Sequence, residues 1–434
     1  MKRVLIISPY FPPSNGADVQ RVRMSLPYFE EFGWKADVVC VKQKHSEIVK
    51  DEILLESLPA GQIVYEVDAF DIKWTSKLGL GSLALRSMWY YLRRVNKILR
   101  KQQYDLVYFS TTQFPLTILG RYWKNKFRVP YVIDMQDPWH SQYYQDKPKD
   151  QRPAKYWFSY HLHKWLEPLA MKKVDGLISV SEDYLRDLKA RYPAIRQVPS
   201  AIITFGFFMP DFVIASQKAD SFTNLLGTGT FNIVYTGRGG ADMHQAFIPL
   251  FKALKKGQTE APKFFNGIKI YLIGTSYAPA GKGRPTIYPL AQQYGVADSV
   301  VEVTDRISYY HALVTLQRAD ALLIPGSDDP RYTASKLYPY LLTKKPLLAI
   351  LHPDSPAVGV LRSCAGNPVV LTFPGDGDEM INTIYQTLHD WANGVIAPAE
   401  LTDEFQQFSA RALTGRQADL FGTAVAGFKK GLSL

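Results

Sequence analysis

The chain has 434 residues, 46% of them apolar and 21% charged, and carries a formal net charge of +11. That length supports about two or three domains with cores of their own. Only two cysteines occur, Cys40 and Cys364, which excludes a disulfide scaffold and suits a reducing compartment, and no apolar run reaches the ~18–20 residues of a membrane span.

The opening MKRVLIIS is too short in its apolar part for a secretory leader, and Pro9, Pro12 and Pro13 follow at once, so residues 4–8 read as a first strand. Residues 18–32 read as a helix with Val22, Leu26 and Phe29 on one stripe, and residues 36–41 as a second strand. Residues 72–104 contain no acid. They carry Lys73, Lys77, Arg86, Arg93, Arg94, Lys97, Arg100 and Lys101 among Trp74, Trp89, Tyr90 and Tyr91. The excess charge is local: residues 1–206 hold 31 lysines and arginines against 21 acids, which leaves 20 against 19 of the chain's 51 and 40 for the rest. Such a surface seeks phosphate, on lipid or on nucleic acid; no nucleic-acid-binding module accompanies it, so nucleic acid is not expected.

Strands at 105–110, 129–134 and 176–181 alternate with helices at 115–123 and 182–191. Residues 207–228 break the rhythm and read as a linker. The alternation restarts with strands at 231–235, 268–273, 300–303, 321–324 and 347–351, and a helical tail follows residue 376. Short, fully apolar strands between helices predict parallel sheets covered on both faces. The expected class is α/β: two Rossmann-like doubly wound domains facing a cleft. Residues 1–206 form the first domain, 207–228 the linker and 229–400 the second, with helices over 401–434 returning to the first.

Ligands of such sheets bind beyond the carboxyl ends of the strands. After the first strand, Gly16 and Ala17 lead into a helix and would let backbone N–H groups approach an anion. After the first strand of the second half, Thr236-Gly237-Arg238-Gly239-Gly240 presents an arginine among glycines, free to fork onto phosphate. Further on, Thr333 reads as a helix cap, with the N–H groups near Ala334 and Ser335 and the charge of Lys336 directed at an anion. Together these would hold a diphosphate and stabilise it as a leaving group. Asp134 and Asp137 close a strand beside Trp139 and His140, and Asp137 is the candidate for accepting hydrogen bonds from substrate hydroxyls. No metal-ligand spacing, P-loop motif or Gly-x-Ser-x-Gly elbow is present, so no metal or cofactor is expected.

These landmarks resemble the two-domain GT-B glycosyltransferases, in particular the retaining family 4-like enzymes. The similar segments are SPYFPPSNGADVQRVRMSLPYFEEFGWKADVV, PYVIDMQDPW, VDGLISVSEDYLRDLKARYP, ITFGFF, IVYTGRGG and TASKLYPYLLTKKPLLAI. The resemblance implies a nucleotide-diphosphate sugar held mainly by the second domain and an acceptor on the first. It assigns the diphosphate to Arg238, Lys336 and the helix start at Ala334–Ser335, with Gly16 and Ala17 closing on it. Gly237, Gly239, His244, Thr333 and Leu337 join the donor site, and Arg306 faces the base. Asp137, Arg238 and Lys336 are the implied catalytic residues. The sequence departs from the family at Pro339, where a ribose-contacting glutamate is usual, at Arg331, at Gln136 in place of an arginine, and at Ala17 in place of a second glycine.

The expected function is transfer of a sugar to an acceptor, lipid-linked and destined for a cell-envelope polysaccharide. The enzyme would act in the cytoplasm, with residues 72–101 on an anionic inner membrane face. Two alternatives stay open: a degenerate member that binds a sugar nucleotide or partner without turnover, and a sugar-nucleotide 2-epimerase.

Overall fold

Apolar runs rich in β-branched and aromatic residues become buried parallel strands, and the amphipathic stretches between them become the covering helices. The computed structural model describes residues 1–140, 156–330, 336–374 and 377–432. They form two compact units, residues 1–205 with 410 onward and residues 206–409.

The first unit runs β1 (Lys2–Ile7), α1 (Val19–Ser25), β2 (Trp34–Val41), β3 (Val64–Val67), α2 (Ile72–Thr75), α3 (Leu83–Lys101), β4 (Leu106–Ser110), α4 (Ile118–Phe127), β5 (Tyr131–Met135), α5 (Tyr156–Met171), β6 (Gly176–Ser179), α6 (Glu182–Arg191) and β7 (Ser200–Ile202). Its strands lie in the order β3-β2-β1-β4-β5-β6-β7, all parallel. Val4 pairs with Ala36 on one side and Leu106 on the other, which puts β1 in mid-sheet. Leu5 and Ile7 face a core shared with α3, α4, α5 and α6, and Val4 and Ile6 face the opposite core. Complete burial of side chains of this kind contributes about 1.5–3 kcal/mol each.

The second unit runs α7 (Met209–Gln217), β8 (Phe231–Thr236), α8 (His244–Glu260), α9 (Pro262–Phe265), β9 (Ile268–Ile273), α10 (Tyr288–Gln293), β10 (Val300–Val303), α11 (Tyr309–Arg318), β11 (Ala321–Pro325), α12 (Leu337–Leu342), β12 (Leu347–Leu351), α13 (Pro356–Cys364), β13 (Val369–Thr372) and α14 (Gly377–Ala392). Its parallel sheet has the order β10-β9-β8-β11-β12-β13. The last helix, α15 (Ala410–Leu432), belongs to the first unit, where Phe421 packs against Phe29, Trp34 and Tyr108.

Two local expectations are corrected. The helix expected over residues 18–32 ends at Ser25, because Pro27 cannot continue it, and only a 3-10 turn (Phe29–Phe32) follows. The segment read as a linker, 207–228, contains α7, which starts with a proline in its first turn. The Asp211 carboxylate, fully buried, accepts hydrogen bonds from Tyr309 (2.9 Å) and Tyr310 (2.8 Å), so this helix is docked on the second unit. In the tail, α15 runs through Gly415 without a break. A Cβ there would sit 3.0 Å from the Phe32 ring, so the glycine allows close approach. Among the described residues no helix is long and apolar enough to cross a membrane.

Candidate functional site

The second sheet reverses its strand order between β8 and β11, and the loops after these strands form the crevice where such sheets take ligands. The loop after β8 opens at Gly237. A Cβ on Gly237 would fall on Lys336 Nζ and lie 2.8 Å from the Tyr235 hydroxyl, so a glycine is what admits the ammonium here. Lys336 Nζ donates to the Tyr235 hydroxyl (3.1 Å) and stands 4.8 Å from that ring's centre, and the same hydroxyl donates to the Arg238 carbonyl (2.9 Å). Thr236 N donates to the Tyr340 hydroxyl (2.7 Å), tying α12 to the end of β8.

Burial, and then the charges of Arg238 and Arg306, push the Lys336 ammonium down to about 7. No carboxylate is among the groups acting on it, and neither Lys336 nor Arg306 forms an ion pair among the described residues. Arg306 is exposed and lies over the Tyr277 ring at 5.1 Å. The loop of residues 286–288 borders the same place. Glu302 fixes it by accepting from the backbone N–H groups of Thr286 (3.0 Å), Ile287 (3.0 Å) and Tyr288 (2.6 Å). A Cβ on Gly239 would come within 2.8 Å of Thr286 Oγ1, and His244 Nε2 is 3.1 Å from the Thr286 carbonyl.

The structure thus brings Gly237, Arg238, Gly239, His244, Arg306 and Lys336 onto one set of loops. Two expectations need correction. The Arg238 guanidinium is not free: it forks onto Asp242, NH1 to Oδ1 at 3.0 Å and NH2 to Oδ2 at 2.6 Å. The Asp242 carboxyl is held below its ordinary range against its own partial burial by Arg238 and by the Ser327 hydroxyl (2.7 Å). The spacing Arg-x-x-x-Asp was the available signal. Leu337 is wholly buried in the core, so only its backbone could meet a ligand. Pro339, where the sequence departs from the family, is the third residue of α12. First-turn N–H groups lack intrahelical acceptors, so the proline fits there without loss. Arg331, Thr333, Ala334 and Ser335 lie outside the described residues.

In the first unit the order reverses between β1 and β4, and there the charge is opposite. Asp18, at the start of α1, is buried, which raises its carboxyl pKa, and it accepts from Thr111 Oγ1 (3.4 Å), Thr112 N (3.3 Å) and Thr112 Oγ1 (3.2 Å). Gly16 precedes it closely: a Cβ there would sit 2.8 Å from Asp18 Oδ1, while Ala17 is exposed. Asp134, at the end of β5, is fully buried and paired with Arg21 Nε (2.6 Å). Tyr108 (3.3 Å), Ser110 (3.1 Å) and Gln136 (2.9 Å) also donate to it. Gln136, where the family has arginine, is thus a buried donor, and the guanidinium comes from α1 instead. Desolvation, then Asp18 and Asp134, raise the carboxyl pKa of Asp137 at the rim. His140 Nε2 is buried with no hydrogen-bond partner among the described residues, and burial with nearby Arg191 and Lys164 favours its neutral form. The contacts of Arg21 and Asp18 join distant segments and carried no sequence signal, whereas His140 stood beside Asp137 in the sequence.

Residues 27–204 match the family model for Glycosyltransferase Family 4. No curated protein matches the chain by sequence. Solved structures do match across the whole length. One is WaaG, a glycosyltransferase involved in lipopolysaccharide biosynthesis, with TM-score 0.55, 13% identity, and coverage of 96% of this chain and 99% of that one. The fold is GT-B. TarM of S. aureus, in complex with fondaparinux, α-GlcNAc-glycerol and UDP, is similar at TM-score 0.56 and 9% identity, covering 97% and 100% of the two chains. The E. coli protein solved with UDP-2-fluoro glucose gives TM-score 0.54 at 11% identity, covering 97% and 99%. In this GT-B chain both order reversals carry the charged loops.

Proposed function

We propose that this chain is a retaining glycosyltransferase that moves a hexosyl group from a nucleotide-diphosphate sugar to a hydroxyl acceptor. The observation that carries the reading is the Lys336 ammonium: admitted by Gly237, flanked by Arg238 and Arg306, and balanced by no carboxylate among the described residues. Such a cluster is completed by a polyanion, and its charge is best used where negative charge develops. The second unit holds the donor, with Lys336 on the diphosphate, Arg306 beside the base and Arg238 joining Lys336 as it leaves Asp242. In the reaction the bond between the anomeric carbon and the diphosphate oxygen breaks, and the electron pair stays on the diphosphate. The acceptor hydroxyl oxygen bonds to the same carbon, and its proton passes to the departing diphosphate. Asp137 and the neutral His140 of the first unit orient the acceptor, read as lipid-linked and belonging to envelope polysaccharide synthesis.

The fork of Arg238 on Asp242 favours a second reading, a GT-B protein that binds a sugar nucleotide without turnover. Incubation with UDP-, GDP- and dTDP-sugars, with and without membrane extract, separates the two. Nucleotide release that depends on the extract supports transfer; binding without release supports the second reading. A sugar altered while still nucleotide-bound would indicate a 2-epimerase.

A further inference from the structure

Helices α3, α4 and α5 cover the same face of the first sheet side by side, α4 packing against both neighbours. Six lysines and arginines lie on α3, three on α4 and one on α5. The single carboxylate of the three helices, Glu167, is 1% exposed and paired with Arg191 at 2.6 Å. The outer face of this layer therefore shows no acid among the described residues. Arg86 and Lys124 are committed inside the fold: Arg86 donates to the carbonyls of Phe70 (3.0 Å) and His45 (3.1 Å), and Lys124 pairs with Asp175 (2.7 Å). Arg93, Arg94, Lys97 and Arg100 are exposed beside a groove of about 640 Å³ whose other wall carries Glu66 and Asp68, the latter paired with Lys42 at 2.6 Å. The next helix, α6, carries Glu182, Asp183 and Asp187 among its cations and ends the basic area.

The same layer exposes its largest apolar side chains. Trp157 (72% exposed) and Trp165 (74%) stand on one stripe of α5 with Leu169, and Trp74 (73%) projects from α2 with Lys77 above its ring. The two places adjoin, since Phe158 of α5 lies 3.1 Å from where a Cβ on Gly79 would be. Tryptophan rings at a rim of lysine and arginine suit the headgroup region of an anionic bilayer, where the indole N–H stays hydrated and the ring is buried.

We propose that the α3–α4–α5 layer seats the first unit on an anionic lipid surface, its cations on lipid phosphates and Trp74, Trp157 and Trp165 in the interface. Tyr160 of α5 packs on His140 (ring centres 4.6 Å apart) and His163 on Trp139 (6.3 Å), so this face adjoins the acceptor side of the first unit. The inference deepens the acceptor reading and rests on it only for where the reacting end lies. Vesicle binding requires no turnover, so either can fail alone.

The test is sedimentation of the full chain with phosphatidylcholine vesicles, with and without about one third phosphatidylglycerol. Binding is expected only with the anionic lipid, with a blue shift of tryptophan emission. Joint replacement Arg93→Glu, Arg94→Glu and Lys97→Glu should weaken it about 100-fold or more, and Trp157→Ala with Trp165→Ala should remove the blue shift. All five positions are outside the strand-end loops, and unchanged thermal unfolding verifies the fold. Undiminished binding by both variants, or no binding by the native chain, overturns the proposal. Release from vesicles by inorganic phosphate at matched ionic strength reassigns the cations to a soluble anion and equally overturns it.

Discussion

The two sheets reverse order at matching places and set opposite charges there. In the first unit Asp18, Asp134 and Asp137 gather, and the fully buried member, Asp134, is neutralised from within by Arg21. In the second unit Arg238, Arg306 and Lys336 gather, and only Arg238 has a carboxylate among the described residues. A charge cluster completed by its own fold is scaffold; one left incomplete is poised for a ligand. The contrast separates residues that shape a site from those that bind in it, although both sets lie on the same kind of loop.

The largest effect should come from breaking the completed side. Arg21→Met would leave Asp134 buried without its partner, and such losses cost about 3–5 kcal/mol. Urea unfolding should report this, and the double change with Asp134→Asn should recover most of it. A small loss from Arg21→Met alone would mean that Asp134 is already largely neutral and that the pair is not scaffold. On the incomplete side the same operation should act the other way. Lys336→Met removes a desolvated cation, so stability should be unchanged or raised, while affinity for a nucleotide-diphosphate sugar falls about 10- to 100-fold by calorimetry. Marked destabilisation with intact donor binding would place Lys336 among the scaffold residues.

The pH dependence sharpens the same point. The folded Lys336 ammonium titrates near 7, well below the ordinary lysine value, and a bound diphosphate would raise it again. Below pH 7 the group is charged with or without donor, and affinity is highest. As pH rises above 7, binding must take up a proton, and affinity should fall about tenfold per unit until the raised value is passed. Calorimetry near pH 8 in buffers of different ionisation enthalpy should show uptake approaching one proton, and Lys336→Met should abolish it. A flat profile in the native chain would show that the ammonium does not meet the diphosphate.

Much of this was legible in the sequence where local rules govern. The strands before Gly16, Gly237 and Asp137 follow from short apolar runs, and the Gly-Arg-Gly-Gly loop announces close backbone approach. What stayed hidden depends on partners distant in the chain. Nothing near residue 134 shows that its guanidinium comes from residue 21. Arg86 looks like its basic neighbours in α3, yet it is buried on two carbonyls. The composition of residues 207–228 suggested irregular chain because Asp211 reads as polar surface. Its burial becomes sensible only with the hydroxyls of Tyr309 and Tyr310 beside it. The tryptophans of α5 gave no warning either, since exposure is a property of packing and not of spacing.

The smallest expected effect tests the departure at Pro339. The resemblance places a ribose-contacting glutamate there, and α12 offers the position in its first turn, where Pro339→Glu removes no hydrogen bond. Stability should therefore change by no more than about 0.5 kcal/mol. If residue 339 faces the cation cluster, the new carboxylate does two things at once. It offers an acceptor to the ribose hydroxyls, tightening donor binding by about tenfold, and it favours the charged form of Lys336, moving the fall in affinity to higher pH. The two readouts are coupled through one position, so an upward pH shift without tighter binding would show that the donor's ribose lies elsewhere than in the family. If neither moves, the side chain at 339 faces away from the cluster, and the second unit binds its anion without a ribose clamp on α12.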